Sequence, residues 1–370
     1  MKIAIDARGI NWYRGTGIGT YTENVVKNLI NIYDDTYFHL YWSEQNYEYF
    51  KKKNTELILT SKKHPRFFEQ NYFYNDLNRN EIDIYHVPQN GIGIDINIKC
   101  KKVITVHDLI PYIMPETVGK GYLLKFLKEI PSIIQNADGI LTVSEYSKKD
   151  ILKFFPIDPN RIFVTPLAAD KIYKPLEKGI CKSLLKEKYN INNPFILYLG
   201  GFSARKNVSA LINSFLKVHS SLHTDYNLVI VGAQKDLGEY LSNKYSNLRS
   251  KIIFTGFIPQ EELPIFYNSC DVFVYPSLYE GFGLPPLEAM SCGTPVITSN
   301  TTSIPEVVGD SGLLINPYDE DELTTCLEKL LNNESLRKSL SIKSLKQSSK
   351  FSWYKTATKT FESYKTIYEL

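Results

Sequence analysis

Two glutamates, Glu280 and Glu288, bracket seven residues in the stretch "EGFGLPPLE". The intervening residues favour close approach. Gly281 and Gly283 have no side chain, so a ligand can come near the backbone there. Pro285 and Pro286 suit the first turn of a helix, where an unused N–H is no loss. "LEAMSCG" then continues as helix as far as Gly293, a natural stop. The pattern predicts a loop feeding a helix N-terminus, with Glu288 in the first turn and free amides facing the loop. Such an end suits an anion. The competing reading is an ordinary strand-to-helix turn. A second candidate is basic. Arg205 and Lys206 follow a Gly-Gly pair after the apolar run "FILYL". An arginine can fork onto two anion oxygens, and a lysine adds a point charge. His107, in "VHDL", and the glycines Gly15, Gly17 and Gly19 of "RGTGIGTY" complete the set.

These residues need elements to position them, and the apolar runs supply those elements. In the first half, "KIAIDA", "FHLYW", "IDIYHV", "KKVITVHD", "GILTVS" and "RIFVTP" read as strands, with amphipathic segments between them. "NVVKNLI" places Val25, Val26, Leu29 and Ile30 on one helix face. A charged segment over 170–194, punctuated by Pro175 and Pro194, breaks the rhythm. A second alternation follows: "FILYLG", "YNLVIVG", "KIIFTG", "DVFVYPS", "PVITS" and "GLLINP". The βαβ rhythm implies parallel sheets with helices on both faces. With 370 residues, two domains are expected. The predicted division is 1–172 as the first Rossmann-like domain, 173–193 as linker and 194–350 as the second. The helix over 351–370 is predicted to pack back on the first domain. Ligands of such sheets sit beyond the carboxyl ends of the strands. Each candidate loop follows a strand, so the four are expected to converge on one cleft between the domains.

Composition excludes several classes. The net charge of +3 is too small to argue for a nucleic-acid partner. The five cysteines are scattered with no CxxC, which suggests neither a disulfide framework nor a zinc site. No apolar run is long enough to span a membrane and no leader is evident, so a cytoplasmic protein is expected. "GYLLKFLKEIPSIIQ" could touch a membrane surface peripherally, but a core-packed helix is the preferred reading.

Taken in order and at these distances, the motifs resemble the glycosyltransferase family 4 enzymes of GT-B fold. These transfer a sugar from a nucleotide donor with retained anomeric configuration. The similarity runs over nearly the whole chain and is densest from Gly200 to Pro317. It implies two doubly wound Rossmann-like domains facing each other across a cleft. It also implies that Arg205 and Lys206 hold the diphosphate, that Glu280 lies near the transferred sugar, and that Glu288 accepts the ribose hydroxyls. The amides of Phe282, Gly283 and Leu284 would serve sugar or phosphate. His107 would meet the donor sugar near its C6 position. Gly17 and Gly19 would let the loop touch phosphate or acceptor, and Phe257 and Ile258 would offer backbone groups to the base. Retention by a Glu280 nucleophile and front-face return both stay open.

The "RKN" form of the basic motif resembles mannosyltransferase members. The resemblance therefore implies GDP-mannose as co-substrate and a glycan or lipid-linked glycan as acceptor, for a surface polysaccharide. Rhamnosyl, glucosyl or N-acetylglucosaminyl transfer are the alternatives within the family. A sugar-nucleotide epimerase or a non-catalytic binding protein are the alternatives outside it. No cofactor or metal is expected. Asp319-Glu320-Asp321 matches the DxD metal motif of another glycosyltransferase fold, but here it opens the predicted helix "DELTTCLEKLLNN", where acids cap.

Overall fold

A computed structural model describes residues 1–61, 63–95, 97–233, 237–248 and 250–370. The chain divides into two units, residues 1–167 with 352–370, and residues 168–351. Among the described residues the first unit holds seven strands: β1 (Lys2–Asp6), β2 (Tyr37–Ser43), β3 (Thr55–Thr60), β4 (Ile84–Val87), β5 (Lys101–Val106), β6 (Gly139–Thr142) and β7 (Ile162–Val164). They pair in the order β3-β2-β1-β4-β5-β6-β7, all parallel. All except β3 match the sequence reading. Its sequence "TELILT" lies among lysines and it pairs with β2 alone, at the sheet edge. Only its last residue, Thr60, is buried, so its hydrophobic pattern is diluted.

The second unit repeats the pattern with six strands: β8 (Phe195–Leu199), β9 (Asn227–Val231), β10 (Ile252–Gly256), β11 (Val272–Tyr275), β12 (Val296–Ser299) and β13 (Leu313–Ile315). Their order is β10-β9-β8-β11-β12-β13, again all parallel. Both sheets therefore reverse direction once, between β1 and β4 in the first unit and between β8 and β11 in the second. The loops leaving those strands diverge to opposite faces and open a crevice, where ligands of doubly wound sheets bind.

The helices that matter for the site are α1 (Gly17–Ile32) and α2 (Lys120–Asn136) in the first unit, and α3 (Val208–Val218), α4 (Leu284–Ser291) and α5 (Glu320–Leu331) in the second. Phe126, Ile130, Ile133 and Ile134 of α2 are buried against the sheet, while Leu124 faces outward. Among the described residues no helix is long and apolar enough to cross a membrane. The C-terminal helix (Trp353–Glu369) belongs to the first unit and packs on α1. Phe361 stacks on Tyr33 at 3.6 Å between ring centroids, the Tyr364 hydroxyl bonds His86 Nδ1 at 2.7 Å, and Thr356 donates to the Pro166 carbonyl at 2.6 Å.

Candidate active site

At the switch point of the second sheet, β8 ends in Gly200-Gly201 and a short 3-10 turn, Ala204–Lys206, leads into α3. Asn207 makes the corner with φ 55°, a left-handed conformation that asparagine tolerates. Its side chain donates to the Pro317 carbonyl at 2.7 Å, and among the described residues no side chain caps α3. The first-turn amides of α3 thus lack a side-chain cap beside Arg205 and Lys206, and an uncapped helix start favours an anion.

The loop leaving β11 comes to meet this turn. The Arg205 carbonyl accepts the Leu278 N–H at 2.7 Å. Arg205 Nη1 donates to the Tyr279 carbonyl and to Glu280 Oε1, both at 2.9 Å. Lys206 Nζ reaches the same carboxylate oxygen at 2.6 Å and also bonds the Tyr275 hydroxyl. That hydroxyl donates to Glu280 Oε1 at 3.1 Å. One oxygen therefore gathers a guanidinium, an ammonium and a phenol. Burial pushes the Glu280 carboxyl up, but the charges of Lys206 and Arg205 outweigh it and hold it below its ordinary range. Tyr275 is pushed well above the usual phenol value, first by burial and then by Glu280, so it stays neutral. The loop is pinned from behind. Thr302 Oγ1 accepts the Glu280 N–H at 3.2 Å, and Ser303 Oγ lies 2.8 Å from the carbonyls of both Glu280 and Phe282.

Gly283 then turns the chain into α4 with φ 122°, and a Cβ there would lie 2.8 Å from Ile304 Cδ1. Only glycine fits that corner. Two expectations about α4 need correction. Glu288 is the fifth residue of the helix, not part of its first turn. The helix dipole falls off within that turn, so it does not explain the glutamate. The supply of free amides is also thinner than expected, because Pro285 and Pro286 have no N–H and only Leu284 donates among the first three residues. Glu288 is held apart from the basic pair's hydrogen-bond set. Tyr267 donates to its Oε2 at 2.9 Å. Its pKa is pushed up to about 8, chiefly by burial; the Tyr267 hydrogen bond opposes this, the charge of Asp170 adds to it, and Tyr173 opposes it.

Further along the sheet, Phe257 and Ile258 follow β10. The Phe257 side chain is 73% exposed and Ile258 is in the core. The acidic run at 319–321 is a helix cap. Asp319 accepts from the amides of Asp321 and Glu322, both at 3.0 Å, and Asp321 pairs with Lys217 at 2.8 Å. Among the described residues no cluster of three His, Cys, Asp or Glu side chains could hold a metal.

In the first unit, His107 follows β5. Its Nε2–H donates to the Pro88 carbonyl at 2.9 Å, and its backbone N–H goes to Asn90 Oδ1 at 3.0 Å. Burial pushes the ring's pKa down to about 4, more than the Pro88 carbonyl raises it, so the imidazole is neutral near pH 7. With the proton fixed on Nε2, Nδ1 is the accepting nitrogen. At the β1/β4 switch point the Asp6 carboxylate accepts from Arg8 Nε at 2.7 Å, Arg8 Nη2 at 2.6 Å and Gln89 Nε2 at 2.6 Å. Arg8 Nη2 also reaches Glu69 at 3.0 Å. Asp6 and Arg8 are each only 1% exposed in this ion cluster. Gly17 opens α1 at the surface. Gly19 is buried, its N–H goes to the Thr16 hydroxyl at 3.4 Å, and a Cβ there would fall 2.3 Å from the Tyr13 carbonyl oxygen. The close approach at Gly19 is to the chain's own backbone.

Sequence reasoning missed Tyr275, Tyr267, Thr302, Ser303 and Arg8. Only Tyr275 carries a hint, as the one polar tip ending the run "VFVY".

The family described as "Glycosyltransferase Family 4" matches residues 16–171, and "Glycosyl transferases group 1" matches residues 182–347. The chain is 34% identical over 286 residues to O-antigen chain mannosyltransferase B of Escherichia coli, covering 77% of this chain and 74% of that one. It is 34% identical over 274 residues to the serotype-specific mannosyltransferase WbdA of Escherichia coli, covering 72% of this chain but only 34% of that longer one. Sucrose-phosphate synthase from Thermosynechococcus elongatus superposes with a TM-score of 0.76 at 19% identity, over 100% of this chain and 99% of that one.

Proposed function

The chain belongs to the group 1 glycosyltransferases, the family 4 enzymes of GT-B fold, and from that premise we propose that it transfers mannose from GDP-mannose to a glycan or lipid-linked glycan. Its family makes it a retaining hexosyltransferase that uses a nucleotide-sugar donor. Mannose is supported by the O-antigen chain mannosyltransferase and the serotype-specific mannosyltransferase, each 34% identical to this chain. We take the setting to be surface-polysaccharide synthesis, by a cytoplasmic enzyme working at the inner face of the membrane.

The observation that carries the reading is the convergence of Arg205, Lys206 and the uncapped start of α3 at the switch point of the second sheet. As the bond from sugar carbon to diphosphate breaks, negative charge gathers on the leaving oxygen. Two cations and oriented amides gathered at this point can stabilise that charge. Glu280 is proposed to serve the transferred sugar. In the ligand-free site its Oε1 is engaged by three donors, two of them cationic, and retention by a Glu280 nucleophile and by front-face return both stay open. Glu288 is proposed to take the ribose hydroxyls in place of Tyr267. The Nδ1 lone pair of His107 suits a sugar hydroxyl, because its Nε2–H is committed to Pro88. The amides of Phe282, Gly283 and Leu284, and the backbone at Gly17, Phe257 and Ile258, remain proposed contacts.

The test is substitution at the basic pair. Arg205→Ala and Lys206→Ala are each expected to lower turnover at least about a hundredfold, as loss of one oxyanion donor does. Near-normal turnover in both variants would remove the proposed clamp.

A further inference from the structure

The basic pair holds an anion that the chain itself supplies. Glu280 Oε1 lies 2.9 Å from Arg205 Nη1 and 2.6 Å from Lys206 Nζ, and the Tyr275 hydroxyl joins it at 3.1 Å. The three charged side chains are 18%, 12% and 12% exposed for Arg205, Lys206 and Glu280. Two cations this close and this shielded repel each other and are poorly hydrated, so a carboxylate between them offsets much of that cost. The arrangement is held in place rather than incidental. Thr302 and Ser303 fix the backbone of Glu280, Tyr275 stands at the end of β11, and the Tyr279 carbonyl orients the guanidinium.

We infer that the Glu280 carboxylate is a built-in counter-anion for Arg205 and Lys206, from which a nucleoside diphosphate must take over these cations in order to bind. The inference rests on the reading of Arg205 and Lys206 as the diphosphate clamp and adds a competitor to it. Between turnovers Glu280 keeps the clamp charged and correctly spaced, at the expense of affinity. After transfer the same carboxylate can return to the cations and help expel the nucleoside diphosphate. Glu280 would then act in both halves of the cycle, beside the sugar during transfer and on the clamp during release.

Titration calorimetry of the wild type and Glu280→Gln with GDP and with UDP tests this, with guanosine and uridine as uncharged controls. The amide keeps the shape and removes the competing charge. The diphosphate that binds wild type is expected to bind E280Q at least tenfold more tightly, about 1.4 kcal/mol, with nucleoside affinity unchanged. Glu280→Asp withdraws the charge by one methylene and should give a smaller gain in the same direction, which reads the effect if the amide variant does not fold. Diphosphate affinity that is equal or weaker in the folded variants overturns the counter-anion role while leaving the clamp standing. Failure of wild type to bind either diphosphate removes the clamp itself, and this inference with it.

Discussion

Glu288 should make the protein less stable as the solution becomes more alkaline, and replacing it with glutamine should abolish that loss. The carboxyl is enclosed beside Tyr267 and Tyr173, and burial pushes its pKa from an ordinary 4.5 to about 8. The unfolded chain releases the proton near the ordinary value, while the folded chain keeps it until about pH 8. The folded state therefore binds more protons throughout that window, and its stability falls as pH rises. The contribution is fully present below about pH 4.5 and is lost by about pH 8. Each pH unit inside the window costs about 1.4 kcal/mol, so the whole fall amounts to about 3–5 kcal/mol. Glu288→Gln keeps an acceptor for the Tyr267 hydroxyl and has no charge to bury. Calorimetric melting of both proteins from pH 5 to 8.5 cancels every other titrating group in the difference. The variant should gain on wild type steadily and be the more stable by several kcal/mol at the alkaline end. A difference that stays constant across the range would refute the reasoning. A protonated Glu288 still offers an accepting oxygen and adds an O–H donor, so it can pair with ribose hydroxyls at neutral pH.

Two further outcomes follow from the geometry. Asp319→Asn with Asp321→Asn should leave transfer within about threefold, under 1 kcal/mol of barrier, because asparagine caps a helix start as well as aspartate does and the exposed pair of Asp321 with Lys217 contributes little; steady-state rates measured with excess EDTA check this, and a loss restored by manganese would overturn it. His107 should stay neutral from pH 5 to 8, with its proton on Nε2, because burial lowers its pKa to about 4; nitrogen NMR of the labelled ring reads the tautomer directly, and a protonated ring at pH 6 would contradict it.

The parts of the site legible in the sequence are those written in local spacing. Arg205-Lys206 after a Gly-Gly pair, and Glu280 before Gly281 and Gly283, are patterns a strand-loop-helix unit imposes on neighbouring residues, and the strands before them lie where the apolar runs put them. What local spacing cannot carry is partnership across the sheet. Tyr275 reads as one more apolar residue of β11, and its contact with Lys206 exists because β8 and β11 are neighbours at the switch point. The tether from His107 to Pro88 depends in the same way on β4 lying beside β5. The misplacement of Glu288 has a different cause. Helix starts are uncertain by a residue or two, and here Gly283 rather than a later residue makes the corner, with Leu284 opening the helix. Edge strand β3 escapes a reading by apolar runs because "TELILT" has only three apolar residues and none of the three is buried.

The central claim is retaining mannosyl transfer from a nucleotide donor without metal. It is tested most directly by incubating the purified protein with GDP-mannose and a lipid-linked or free mannoside acceptor in excess EDTA, then reading the new anomeric signal by proton NMR. The account predicts release of GDP together with an α-linked mannose, the configuration of the donor, and no comparable turnover of UDP-glucose or UDP-N-acetylglucosamine. A β-linked product, or turnover of another nucleotide sugar while GDP-mannose stays intact, would contradict it.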